Sequence, residues 1–166
     1  MSFKKINQQN GFTLIEILVV IGIIAVLAAI VIIAINPTKQ FAQARNSQRT
    51  ANVNAILNAV GQRMADNKGI FAGVFTIGTN TYTCGPITTV ATNVTPTMAT
   101  DTTTTTADLG CLVPTYISSL PVDPSNPSAP TGYTIQQLSY GGIEVCAPTA
   151  ASETSVPNPA SICVRR

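Results

Sequence analysis

The chain has 166 residues, of which 45% are apolar and only 10% charged. That length allows one modest hydrophobic core and excludes two of ordinary size. It contains no histidine, which removes the commonest general base, the histidine-assisted serine and cysteine nucleophiles, and the commonest metal ligand. No catalytic set, metal site or cofactor is therefore expected. Two of the nine basic residues are Lys4 and Lys5 at the N-terminus, and without them seven bases face seven acids. Such a balance gives no charge-based argument for nucleic acid as a partner.

In chain order, Met1 to Gly11 carries Lys4 and Lys5 and no acid, the pattern that keeps a segment on the cytoplasmic side. Hydrophobicity then rises abruptly. From Phe12 to Ile35 the single charged residue is Glu16, and the run from Ile17 to Ile35, at about 1.5 Å per residue, spans most of a hydrocarbon core of about 30 Å. A conventional secretory signal has a shorter apolar middle and a small-x-small cleavage site, whereas this run ends at Ile35-Asn36-Pro37. A plain anchor leaves Glu16 unexplained, because a carboxylate among membrane residues is expensive and usually functional.

Gly11-Phe12-Thr13-Leu14-Ile15-Glu16, with the apolar run from Ile17 to Ile30 behind it, resembles the class III signal of type IV pilins and type II secretion pseudopilins. This resemblance covers roughly the first thirty residues. It implies cleavage after Gly11 by a prepilin peptidase, N-methylation of Phe12 and an assembly role for Glu16. It also implies further copies of the chain and the inner-membrane pilus assembly machinery as partners, with the membrane holding the precursor. The residues fit these roles physically. Glycine offers a bare backbone to a peptidase, and the new α-amino group of a neighbouring helix would neutralise a carboxylate that is costly in lipid. Many relatives carry a helix-loosening proline about where Ile33 stands, whereas here it is Pro37. Either a kink shifts to Pro37, or Asn36 caps a second helix that Pro37 opens.

From Thr38 to about Asn67 the residues suit a helix. Val53, Ile56, Leu57, Val60 and Met64 form an apolar stripe at helical spacing. Gly69 is expected as the first residue past its end, and Lys39, Arg45 and Arg49 are expected on a solvated or subunit-facing neck. Beyond Ile70, threonine, proline and glycine dominate, with β-type runs at 70–77, 132–138, 142–146 and 162–164. A short helix is expected over 113–120, opened by Pro114. The threonine-rich stretch 88–106, with Thr102 to Thr106 consecutive, reads as an exposed loop; Asn93-Val94-Thr95 in it matches a glycosylation sequon. Asp123, Ser125 and Asn126 offer oxygens, but among prolines a plain turn is the expectation over a calcium site. The segment Leu120-Pro121-Val122-Asp123-Pro124 resembles one found in major pseudopilins.

Four cysteines, Cys84, Cys111, Cys146 and Cys163, all lie beyond the apolar run, none in C-x-x-C spacing, which suggests disulfides in an oxidising compartment. Three connectivities are open to them, and the sequential one, Cys84–Cys111 with Cys146–Cys163, is the expected pairing. Cys146 and Cys163 resemble the closing disulfide loop of type IV pilins. The expected fold is α+β, with a long N-terminal transmembrane and stalk helix packed against a small antiparallel sheet, as in pilins. Its parts are a leader at 1–11, a transmembrane and assembly helix at 12–36, an amphipathic stalk helix at 37–68 and a head at 69–166. A structural pilus subunit, membrane-bound before assembly and on a surface filament afterwards, is the expected function, with a secretion or DNA-uptake pseudopilin as the alternative.

Overall fold

A computed structural model describes residues 11–96, 107–126 and 130–166, so leader residues 1–10 and the threonine run 102–106 lie outside the described residues. The chain divides into two compact units, 1–40 and 41–166. The architecture is α+β and pilin-like: one long apolar helix, a second long helix, and small antiparallel sheets.

The first unit contains helix α1, Leu14–Ile35, which has the length and composition to cross a membrane. None of its side chains is buried. Helix α2 follows as Pro37–Asp66, and the residue between them, Asn36, takes a left-handed conformation at φ 45°. The Asn36 side-chain carbonyl accepts from the Lys39 N–H at 3.3 Å, and its main-chain carbonyl accepts from Lys39 and Gln40. Of the two readings open from sequence, the structure adopts the capped second helix. Proline at the first helical position loses no hydrogen bond, and asparagine tolerates the left-handed turn that separates the helices.

At its far end α2 stops with Lys68, not Gly69, in the position just past the cap. Lys68 is left-handed at φ 53°, and the Gly69 N–H reaches the Met64 carbonyl at 2.7 Å. That six-to-one bond closes the helix one residue earlier than composition suggests.

In the second unit, β1 (Gly73–Ile77) and β2 (Asn80–Cys84) form an antiparallel hairpin. A second sheet runs in the order β3 (Thr92–Asn93), β4 (Thr134–Gln137), β5 (Ile143–Ala147) and β6 (Ile162–Arg165), all antiparallel. Strand β2 was not expected, because Asn-Thr-Tyr-Thr-Cys reads as polar, yet alternation buries Tyr82 and Cys84. Within the stretch read as an exposed loop, Thr89 to Ala91 are exposed, but Thr92–Asn93 pair as β3, and Val94 is fully buried with its N–H on the Tyr133 carbonyl at 2.8 Å. No helix covers 113–120. A 3-10 turn sits just before it at Gly110–Leu112, and the Val113–Pro114 peptide bond is cis.

The apolar stripe of α2 enters the core, where Val53, Ile56, Leu57 and Val60 meet Leu109, Leu112, Tyr133, Ile135 and Val145, while Met64 is only partly buried. The same buried face carries two arginines, Arg49 and Arg63. Arg49 stands four residues before Val53 and Arg63 three after Val60, so helical spacing turns both inward. Arg49 is thus no part of a solvated basic neck: it is fully buried. Its Nε donates to Asp123 Oδ2 at 2.7 Å and its Nη2 to Asp123 Oδ1 at 3.1 Å. Its Nη1 donates to Glu153 and to Asn46, each at 2.7 Å. Arg45 closes a second fork on Glu153 at 2.7 and 2.6 Å.

Two forks of this kind shift both acids. Burial alone would raise the Asp123 carboxyl, but bonds from Arg49, Ser125 and Thr149 hold it well below the usual carboxylate range. Glu153 is pulled down to about 2, first by its bond from Arg45, with burial opposing and Arg49 adding to the pull. A carboxyl with a depressed folded value stabilises the fold above its unfolded value and loses that contribution as the pH falls. Head stability should therefore drop from about pH 4.5 towards pH 2 and below, measured by circular dichroism melts. Arg49→Met should cost about 3–5 kcal/mol at neutral pH, since it leaves two buried acids short of a partner, and should flatten the acid dependence.

Disulfides join Cys84 to Cys111 and Cys146 to Cys163, at sequence separations of 27 and 17. The second links directly opposed residues of β5 and β6 and closes the segment that carries Glu153. Loops of these sizes are each stabilised by roughly 3 kcal/mol in the chain-entropy model. Replacing Cys146 and Cys163 together by serine should lower stability by about that amount, and non-reducing peptide mapping should recover the two bridged pairs.

Candidate processing and assembly site

Gly11, Phe12 and Thr13 precede α1 in non-helical, exposed backbone. A side-chain carbon added to Gly11 would meet no atom within 4 Å. Gly11 and Phe12 on either side of the peptide bond are thus exposed and outside any helix, a form in which a peptidase can reach a backbone. Helix α1 begins only after Thr13, whose φ of −75° and ψ of 150° are those of an N-cap. The Thr13 hydroxyl accepts from the Glu16 N–H at 3.3 Å, and the Glu16 carboxylate accepts from the Thr13 N–H at 3.4 Å. The hydroxyl also donates to the same carboxylate at 3.3 Å. This is a capping box, two orphan donors of the first turn satisfied reciprocally.

Two consequences follow from the placement. The cap lies on the C-terminal side of Gly11–Phe12, so hydrolysis of that bond removes nothing the helix start needs. Glu16 also reaches back to within one residue of the Phe12 nitrogen, the atom that hydrolysis would turn into an amine. The structure places Glu16 in the first turn of α1, bonded to Thr13, with Gly11 and Phe12 in the exposed backbone just ahead of it. Thr13 was missed as a functional partner from sequence, although threonine followed three residues later by glutamate, ahead of an apolar run, is the spacing that signals it.

The remaining candidates lie in the second unit. Asp123 and Ser125 converge, with the Ser125 N–H and hydroxyl both donating to Asp123 Oδ1 at 2.9 and 2.6 Å. The cation at their centre is the Arg49 guanidinium. Asn126 contributes its main-chain N–H to the Asp123 carbonyl at 3.2 Å, as in a turn. Glu144, Cys146 and Cys163 come close enough to suggest ligation, but both sulfurs are spent in a disulfide. Arg165 pairs with Glu144, whose carboxyl is lowered first by that arginine and then by Gln136. The terminal basic pair is thus half neutralised, and Arg166 rests on Asn58 at 2.7 Å. In the sequon, Asn93 is exposed while the Thr95 hydroxyl oxygen is buried.

No curated protein and no solved structure matches the chain. Residues 6–35 match the family model described as the prokaryotic N-terminal methylation motif. The chain therefore carries, at the start of helix α1, the class III signal shared by type IV pilins and pseudopilins.

Proposed function

We propose that this chain is the major structural subunit of a type IV pilus, cut after Gly11 by prepilin peptidase, N-methylated on Phe12 and polymerised through α1. The observation that carries the reading is the coincidence of the methylation motif with an open Gly11–Phe12 bond directly ahead of a self-capped helix. Before assembly α1 anchors the precursor in the inner membrane. Afterwards its uncovered apolar side chains are buried against α1 of other copies, and the head is displayed on the surface filament. A contact that repeats without closing makes a helical polymer from identical subunits. The Cys146–Cys163 loop favours a pilin. The Leu120-to-Pro124 segment favours the second reading, a pseudopilin of a secretion or DNA-uptake machine, which would stay in short rods at the envelope. Recovery of this chain as the main protein of sheared surface filaments separates the two.

Processing has a direct readout. Intact-mass analysis of the membrane-extracted protein should give a chain that starts at Phe12 and carries one added methyl group. A start near Asn36 would indicate an ordinary signal peptide instead.

Glu16 acts in assembly under this reading. The α-amino group of Phe12 on an adjacent copy is the nearest cation that an apolar helix bundle can offer, and an unpaired carboxylate there costs several kcal/mol, so pairing selects one axial register. The contacts of Glu16 to Thr13 are long, at 3.3–3.4 Å, and easily exchanged for that partner. Glu16→Val should leave a cleaved, disulfide-bonded, membrane-bound protein that forms few or no filaments by electron microscopy. Normal piliation from Glu16→Val as the sole pilin would sink the mechanism.

A further inference from the structure

Between the C-terminal half of α2 and the start of β5 lies an opening of about 230 Å³. Its walls are the apolar side chains of Leu57, Val60, Met64 and Ile143, and Gly61 and Arg166 also line it. Arg166 is exposed and is the one charged residue among them. Its Nη1 donates to Asn58 Oδ1 at 2.7 Å, a neutral acceptor. Among the described residues the ion pairs use Arg45, Arg49 and Arg165, and none uses Arg166. The nearby acid on β5, Glu144, is already taken by Arg165. An apolar opening is thus bordered by a cation that has no counter-charge.

Gly61 stands well inside α2, where glycine weakens a helix relative to alanine. Its backbone is ordinary helix, and a carbon added to it would meet no atom within 4 Å. Neither a left-handed turn nor a close approach within the chain calls for glycine there. What the missing side chain does is leave room: Gly61 lines this opening and a neighbouring one bounded by Asn58 and Gln62, and Arg166 lines both. Size narrows the occupant. An apolar cavity of about 150 Å³ holds benzene, and pockets for drug-sized ligands start at about 300 Å³. The opening lies between the two and suits one ring with a short chain.

We propose that Leu57, Val60, Gly61, Met64, Ile143 and Arg166 form a binding site for a small free carboxylate with one apolar group, an arylalkanoate. The ring lies against the four apolar side chains, which supply most of the affinity by leaving water. The carboxylate accepts from the Arg166 guanidinium, whose planar fork of donors matches its paired oxygens. One amino group of that fork stays on Asn58 and holds the plane. This site is independent of how the chain is processed or assembled.

The test uses the mature full-length chain with labelled methyl groups, in a fixed concentration of zwitterionic micelles and at constant ionic strength. It is titrated with phenylpropanoate, with the neutral phenylpropanol and with acetate, and followed by NMR. The Met64 and Ile143 methyl resonances should shift and saturate with phenylpropanoate at about 1 mM, the range open to a ligand of this size. The alcohol should bind about tenfold more weakly, the worth of one charge-assisted hydrogen bond, and acetate should not saturate. Arg166→Gln should bring the acid down to the affinity of the alcohol. Gly61→Leu, whose side chain fills the opening, should abolish saturation while partition into the micelles stays the same. The native titration and Arg166→Gln, an exposed substitution, decide the matter should Gly61→Leu not fold. Shifts that grow linearly with phenylpropanoate, saturation by acetate in the same range, equal affinity for acid and alcohol, or an acid affinity that survives either substitution would each overturn the proposal.

Discussion

The head depends on one buried guanidinium. Arg49 is the point where α2 meets two segments that are far away in sequence, the turn at Asp123 to Ser125 and the loop that carries Glu153. An unpaired charge at that depth would be prohibitive, so each partner is indispensable to the other two. Hydrophobic burial by Val53, Ile56, Leu57 and Val60 supplies the non-directional part of the packing. The forked arginine supplies direction: of all the ways two loops could drape on an apolar stripe, only one places both acids on the same cation. The Cys146–Cys163 disulfide acts on one of these segments, the loop that carries Glu153, by limiting the unfolded chain, and so reinforces a geometry that the ion cluster selects.

The chain joins two solutions to the burial problem. In the second unit every long apolar side chain of the α2 stripe finds a neighbour from the same chain, whereas α1 buries none of its side chains. A water-soluble protein could not leave an apolar helix of 22 residues uncovered. Lipid and like helices are the two environments in which that surface is at home, and both treat leucine and isoleucine almost alike. What distinguishes them is Glu16, costly in lipid and neutralised by a cation in a bundle. Under the proposed function, anchoring follows from composition and assembly from a single side chain.

Much of this was legible in the residues. The span of α1, the motif at Gly11 to Glu16 and the apolar stripe of α2 depend on local pattern, which sequence displays directly. The failures share a cause. Arg45 and Arg49 read as solvated because arginine is rarely buried, yet Arg49 and Arg63 continue the spacing of Val53 and Val60, and that periodicity was the available signal. Asp123 and Glu153 lie 74 and 104 residues from Arg49, beyond the reach of any local rule. Strand β2 was hidden because its threonines are polar and Thr81 is exposed while Tyr82 and Cys84 turn in, and β3 is too short, at two residues, to show alternation. Pro114 suggested a helix start, a role that tertiary context overrode.

The base of the threonine-rich segment has a consequence of its own. Thr95 and Asp108 form a parallel bridge, with the Thr95 N–H on the Ala107 carbonyl and the Leu109 N–H on the Thr95 carbonyl. The stretch between them is thus fastened at both ends to the buried Val94 and Leu109 and lies within the span closed by Cys84–Cys111. The entropy of closing such a stretch grows only with the logarithm of its length, about 0.6 kcal/mol for each doubling. The seam that sets this closure is made by main-chain groups of Thr95, Ala107 and Leu109, so a substitution there that displaces the backbone opens it. The seam works in this sense as a clasp, drawing two stretches that are distant in sequence against the one core.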